Sequence, residues 1–475
     1  MRDGKKPRVV IAGASGFVGR ALAPILSEAF HVVGLSRSQR DPGGGFDEYR
    51  SCDLFSLKES EAALKGVEYA VYLVHNMMPT ARLTQGSFAD LDVVCADNFA
   101  RAAASAGVKH IVFLGGLLPT EGAMSEHLQS RREVEETLAA HVVPVTTLRA
   151  GLILGGCGSS FQLMMRLVDR LPVMVCPRWT NTRTQPVALR DVVQYIHGVL
   201  GVEEHFDKTY DIGASDVVTY REMMEMTANA LGKKRVFIPS RVLSPGLSRL
   251  WVSLITGAPA ALVRPLVQSL RHELIAADDG LAEKLGIART STKEAIRLAV
   301  EENDGQVPHA FRGALARRGP SFVRSVQRME LPSGWTAKRA AREYLLWLPK
   351  FLSGFLRVDL ESSERFRFVV APLNVALLEL RFAPERSGRN RQLFYVTGGV
   401  LLGRHGTPRF ELRQVLGGRK LLTVVHEYEP RLPWLVYVYT QALFHRWLMG
   451  RFATHLALGA ARGRRLTDSA RALTS

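Results

Sequence analysis

The sequence predicts an α/β front half built on a doubly wound parallel sheet, followed by a separate α+β domain. Three observations predict it. Through residue 300, short β-branched runs alternate with helical stretches, the rhythm of parallel strands covered by helices on both faces. Glycines recur at three-residue intervals between the first strand and the first helix, in "VVIAGASGFVGRAL". Beyond residue 322, successive alternating runs are separated by turn residues and end in one long aromatic stretch.

In chain order, strands are expected at "RVVIA" (8–12), "HVVGLS" (31–36), "YAVYLV" (69–74), "HIVFLG" (110–115) and "VTTLRA" (145–150). Between the third and fourth, apolar spacing through Leu91, Val94, Cys95, Asn98, Phe99 and Ala102 is helical and stops at Gly107. Ser291, three residues before Glu294, opens one more helix as a capping box. The stretch 303–321, rich in Gly, Pro and charge, reads as a linker between a domain at 1–302 and another at 322–475. There "RFRFVVAP", "VALLELRFAP", "QLFYVTGGVLL", "RFELRQVL" and "KLLTVVHEYE" read as antiparallel strands, and "LPWLVYVYTQALFHRWLMGRFATHLALGAARGRR" as a closing helix.

At 475 residues and 47% hydrophobic content the chain buries large cores and is not a disordered protein. Cys52, Cys95, Cys157 and Cys176 form no CxxC pair, so neither a disulfide framework nor a metal site is expected, and a reducing cytoplasm fits. "MRDGKKPRVVIAG" runs straight into a strand without the apolar stretch of a secretory signal, and no 18-residue uncharged segment suggests a spanning helix. The net charge of +17 is uneven: residues 301–475 hold 28 Lys and Arg against 14 Asp and Glu. Such a half faces either an anionic surface or plain solvent, its cations being mostly scattered arginines. No specific nucleic-acid binding is expected.

Gly13, Gly16 and Gly19 follow a buried strand and open a helix. A turn there needs positive φ, a backbone bare enough to admit a pyrophosphate, and a small residue where helix meets strand. The helix N-terminus then presents unpaired N–H groups to the phosphates. The competing reading is ordinary turn and packing glycine in a chain with 41 of them; position favours a dinucleotide. At the end of the second strand an acidic residue would hold the ribose 2′-hydroxyl of NAD(H), but the text is "GLSRSQR". Arg37 and Arg40 therefore favour NADP(H), unless they are ordinary loop residues.

Together "AGASGFVG", "CDLFSL", "YLVHNM", "FLGGLLP", "SEHLQSRREVE", "QPVALRDV" and "YDIGASDVVTYREMM" resemble the atypical extended short-chain dehydrogenase/reductases, of the NmrA-like, NAD-dependent epimerase/dehydratase-like group. The resemblance covers roughly residues 8–300. It implies a Rossmann fold with Gly13, Ala14, Ser15, Gly16, Phe17 and Gly19 around the pyrophosphate, Arg37 at the adenosine end, Asp53 near the adenine, and a small substrate lobe built mainly from residue 151 on. Beyond 322 strand order and final helix resemble a START-like (SRPBCC) domain, a helix-grip fold whose cavity holds a lipid-like or other hydrophobic ligand.

Ordinary members of the superfamily carry Tyr and Lys four apart at the start of the helix after the fourth strand. Here His127 and Arg131 take that place, and Gly115 and Gly116 replace the usual Ser/Thr. Arg131 opposes protonation of a neighbouring imidazole, leaving His127 a poor proton donor, while its guanidinium suits ribose hydroxyls. His75, at the C-terminal edge of the third strand, is a second candidate on the nicotinamide side. Each has a structural alternative: His127 as a polar first-turn residue, His75 as a rim histidine. Ser125 and Ser130 read as cap or decoration of that helix, Arg149 as structural, and Asp191 as the N-cap before "VVQYIHGVL". In the closing helix, Phe444, Trp447, Leu448 and Phe452 alternate with His445, Arg446 and Arg451, a face for core packing or for peripheral contact with an anionic membrane through 433–465.

The leading expectation is a cytoplasmic NADP(H)-binding oxidoreductase acting on a small hydrophobic carbonyl- or enone-like substrate, possessing a domain for an apolar ligand. Its rivals are a non-catalytic NADP(H)-responsive regulator, which the missing Tyr and Lys favour, and a lipid-handling or membrane-assembly factor.

Overall fold

The computed structural model describes residues 6–75, 83–240, 268–303, 322–403 and 408–472, with side chains to residue 459. They fall into two compact units, Met1–Met78 with Val94–Ala316, and Pro79–Val93 with Arg317–Ser475. The expected linker lies outside the described residues beyond Asn303.

In the first unit, β1 (Arg8–Ala12), β2 (His31–Ser36), β3 (Glu48–Ser51), β4 (Tyr69–Tyr72), β5 (His110–Gly116), β6 (Val145–Ala150) and β7 (Thr209–Ile212) form one sheet in the order β7-β6-β5-β4-β1-β2-β3. Every pairing is parallel. Covered on both faces, its central strands are continuous apolar runs: Val9, Val10, Ile11, Val32, Val33 and Val71 are fully buried. Among the described residues the longer helices are α1 (Phe17–Leu26), α2 (Leu57–Ala63), α3 (Phe88–Ala106, in this unit from Val94), α4 (Glu126–Ala139), α5 (Ser159–Arg170), α6 (Leu189–Val199), α7 (Tyr220–Ala230) and α8 (Thr292–Glu301). α3 stops at Gly107, whose φ of +72° a residue with a side chain rarely adopts. Because the chain leaves β1 towards β2 and later returns to β4 on its other side, a crevice opens at the C-terminal ends of β1 and β4.

Residues from Leu152 on add a lobe with its own core, in which Phe161, Met165, Val168, Met223 and Ile296 pack α5, α7 and α8 together. Fully burying each such side chain contributes about 1.5–3 kcal/mol. Ser291 accepts from the Glu294 N–H and caps α8, as expected. Asp191 is not the N-cap of α6, which is Ala188. It lies in the first turn, and its carboxylate instead accepts from the main chain (2.8 Å) and hydroxyl (2.7 Å) of Thr290. The carboxylate is buried, so a specific tertiary acceptor role displaces the local cap.

In the second unit, β8 (Val323–Glu330), β9 (Leu356–Leu360), β10 (Arg365–Val370), β11 (Val375–Phe382), β12 (Arg391–Gly398), β13 (Arg409–Val415) and β14 (Lys420–Tyr428) form an antiparallel sheet in the order β9-β10-β11-β12-β13-β14-β8. A short strand, Leu83–Gln85, adds to it parallel to β8. Helix α9 (Ala337–Phe351) precedes β9, and α10 (Trp434–Tyr439) and α11 (Gln441–Ala472) follow β14. The closing helix is thus two pieces, broken at Thr440, whose backbone (φ −124°, ψ −82°) is not helical. Tyr344 and Leu348 of α9 and Phe452 and Leu456 of α11 share one core with Phe410, Leu412 and Leu421 of the sheet. No helix among the described residues is long and apolar enough to cross a membrane.

Candidate dinucleotide and active site

The loop between β1 and α1 is shaped by its glycines. Gly13 has φ +95°, and its carbonyl accepts from the Gly16 N–H at 2.9 Å. A Cβ on Gly19 would stand 2.6 Å from that same carbonyl oxygen and 3.0 Å from the Ala14 Cα. Bare backbone is therefore required where helix meets loop, as a pyrophosphate cradle demands. Gly16 is the N-cap of α1 with no side chain on the first-turn N–H groups, and no acidic residue lies in that turn. The positive end of the helix is left for an anion. Ser15 and Gly16 are exposed, Ala14 is buried, and the half-buried Phe17 borders the Gly155–Gly158 loop that leads into α5.

At the end of β2, Arg37 and Arg40 are exposed, and Arg40 Nε donates to Ser36 Oγ at 3.1 Å. Burial raises the Tyr49 phenol, and the nearby guanidiniums of Arg40 and Arg20 act against that rise. Arg20, exposed in the second turn of α1, thus reaches the same neighbourhood. Sequence reading missed it, although one helical turn beyond Gly16 was the signal. The Asp53 carboxylate accepts from the Phe55 N–H (3.1 Å) and its own N–H donates to Glu59 (2.9 Å), so Asp53 shapes the turn into α2.

At the other end of the crevice the fold brings three predicted residues together. His75 follows β4, and His127 is in the first turn of α4, capped by Ser125 through the Leu128 N–H. Their rings lie 5.0 Å apart, centroid to centroid. Arg131 is buried, with its guanidinium 5.0 Å from the Phe113 ring. It donates to the main-chain oxygens of Leu114 (2.9 Å) and Val74 (3.3 Å). It therefore ties the C-terminal ends of β4 and β5 together immediately before His75. Ser130 is buried, and Arg149 forms a two-point ion pair with Glu135 at 2.6 and 3.0 Å. Both are structural.

A parallel sheet with a glycine cradle at the point where strand order reverses defines a Rossmann-type dinucleotide-binding unit. The profile of the NAD dependent epimerase/dehydratase family matches residues 9–142. The chain is similar to the auxiliary protein GraX of Staphylococcus aureus, 28% identical over 144 residues, which are 30% of this chain and 43% of that protein. The chain thus spans less than half the length of that relative. It is also similar to sanguinarine reductase of Eschscholzia californica, 26% identical over 256 residues, covering 44% of this chain and 90% of that one. To (4-alkanoyl-5-oxo-2,5-dihydrofuran-3-yl)methyl phosphate reductase of Streptomyces griseus it is 24% identical, over 66% of this chain and 99% of that one. Among solved structures, Citrobacter sp. triphenylmethane reductase superposes with a TM-score of 0.50 at 21% identity, covering 62% of this chain and 99% of that one. That likeness concerns the fold.

Proposed function

We propose that the first unit is an NADP(H)-dependent reductase of a small hydrophobic carbonyl- or enone-like substrate. The observation that carries this reading is the cradle at Gly13–Gly19 with the His75–His127 pair at the end of the same crevice. Two relatives that cover the front of the chain are named as reductases, which supports the reaction class. The bound dinucleotide would supply a hydride. Around it, the α1 N-terminus takes the pyrophosphate, Asp53 borders the adenine, and Arg20, Arg37 and Arg40 pair with a 2′-phosphate. On reduction the substrate oxygen gains a proton; His75 is the side chain assigned to deliver it, and His127 to orient that oxygen through a ring N–H. Arg131 acts as a positioning residue for His75.

The test is a fluorescence titration with NADPH and NADH, followed by NADPH consumption against carbonyl, quinone and enone substrates. NADPH should bind more tightly, and Arg37→Ala should reduce that preference selectively. Equal affinity for the two cofactors overturns the NADP(H) assignment. Tight binding without turnover on any substrate transfers the site to a non-catalytic, cofactor-responsive role.

For the second unit we propose a START-like helix-grip domain holding an apolar ligand, supported by the strand order and by a cavity under α11. A specific observation favours membrane contact as well. Leu435, Val436, Tyr439, Leu443, Phe444 and Trp447 are exposed, with Arg446 and Arg451 among them, while Leu448, Met449 and Phe452 face the core. Aromatic side chains interleaved with cations suit an anionic bilayer surface. Flotation of the full chain with phosphatidylglycerol vesicles, but not with phosphatidylcholine alone, is the expected result; no flotation with either removes this reading.

A further inference from the structure

Two short parallel strands in the lobe of the first unit, Val173–Pro177 and Val236–Ser240, pair with Val236 opposite Val173 and Ile238 opposite Val175. Met174 and Cys176 turn inwards and join the lobe core, with Phe237 packed against it. The alternate residues Val173, Val175, Val236 and Ile238 lie on the other face and are 39–57% exposed. Parallel strands occur almost only where both faces are covered, and two strands alone are a marginal unit. This bare aliphatic face therefore calls for an occupant.

The charges around the face indicate its chemistry. Arg170 and Lys234 stand just before the two strands and Arg178 just after the first, all three exposed. No Asp or Glu lies between Arg170 and Arg178, and Asp169 is paired with Lys233. From Lys233 to His272 the sequence carries seven Lys and Arg and no Asp or Glu. Aliphatic side chains bordered by cations match lipid tails beneath anionic headgroups. A protein partner fits less well, because a stable interface takes about 20–30 residues a side and is anchored by aromatic residues, whereas this face offers four aliphatic ones.

We infer that the outer face of these two strands docks on an anionic bilayer surface, with Val173, Val175, Val236 and Ile238 at the acyl boundary and Arg170, Arg178 and Lys234 at the headgroups. This contact belongs to the first unit. It shares no residue with the aromatic face of α10 and α11 and does not depend on the membrane reading of that face.

The test uses the full chain with an environment-sensitive nitrobenzoxadiazole label at Ile238→Cys. The background is Cys157→Ser, since Cys157 is exposed and Cys52, Cys95 and Cys176 are buried. In parallel samples Leu443→Cys reports on α11, and Val142→Cys, at a position 86% exposed, is the control. Phosphatidylglycerol vesicles should brighten and blue-shift the label at 238 and leave that at 142 unchanged, and phosphatidylcholine vesicles should change neither. Lys234→Gln should raise the lipid concentration at half-response about fivefold, the worth of one surface cation. No response at 238 overturns the inference, while a response at 443 in the same vesicles keeps the α11 contact. A response at 238 with none at 443 supports the inference and removes the α11 contact. Blue emission at 238 before lipid is added means that protein already covers the face, and overturns the inference. An equal response at 142, an equal response with phosphatidylcholine, or an unmoved midpoint in Lys234→Gln also overturns it.

Discussion

The imidazole rings of His75 and His127 stand 5.0 Å apart at a tilt of 55°, although 52 residues separate them in the chain. One follows β4 and the other opens α4, so both line the end of the crevice where a substrate oxygen would be protonated. His127→Phe keeps a ring of similar size and removes both nitrogens. Turnover is expected to fall by about 100-fold or more, the usual worth of a hydrogen-bond donor placed on a developing oxyanion, with the Kd for NADPH unchanged. Stopped-flow and equilibrium titration of parent and variant check this, and unaltered turnover leaves His127 a first-turn helix residue.

Arg131 donates to two main-chain oxygens from a buried position, so its removal should act first on stability. Arg131→Met leaves the Leu114 and Val74 carbonyls without those charge-assisted bonds, at a cost of about 2–3 kcal/mol in urea unfolding. Lysine, a point charge rather than a planar fork, should recover less than half of it. A large loss of NADPH affinity at unchanged stability would instead return Arg131 to the ribose contact that its position in the sequence suggests.

Gly19→Ala places a methyl group where only 2.6 Å separates it from the Gly13 oxygen. Both sides of that contact are backbone, so the cradle itself must open. Overpacking of this kind costs about 1–3 kcal/mol, and NADPH affinity should fall by about 10- to 100-fold. Fluorescence titration reads it directly, and an unchanged Kd would place the dinucleotide elsewhere.

His110 is fully buried, and the Gly201 N–H donates to its Nδ1 at 3.1 Å, which leaves the proton on Nε2, facing the Thr146 hydroxyl at 2.8 Å. Burial lowers its pKa to about 4, helped slightly by His205 and opposed by Asp207. The unfolded state, titrating near 6.5, binds the extra proton first. Stability from this group is therefore complete above about pH 6.5, falls as pH drops towards 4, and levels off below; the total is about 3 kcal/mol. His110→Gln should flatten that part of the curve of urea midpoint against pH, measured as parent minus variant. An equal slope in both proteins assigns the acid loss to other groups.

Much of the first unit was legible because its signals are local. The strands at 8–12, 31–36, 110–115 and 145–150, the stop at Gly107 and the cap at Ser291 follow from apolar runs, one positive-φ glycine and one hydroxyl. β3 and β7, both polar, were not read, since "EYRS" and "TYDI" gain strand character only from the neighbours they pair with. All five named runs of the second unit are strands, whereas β8, β9 and α9 escaped notice, their arginines obscuring the apolar period.

The spacing of Gly13, Gly16 and Gly19 between the first strand and the first helix made a turn bare of side chains legible in the sequence, because backbone freedom and an absent side chain are properties of single residues. Binary pattern likewise determined which half is a parallel sheet and which an antiparallel one. Only tertiary structure decided that Leu83–Gln85 pairs with β8 some 240 residues away, and that Asp191 serves Thr290 rather than its own helix. These depend on which distant groups meet in a dry interior, where an unpaired polar atom is costly, and no local pattern encodes that meeting.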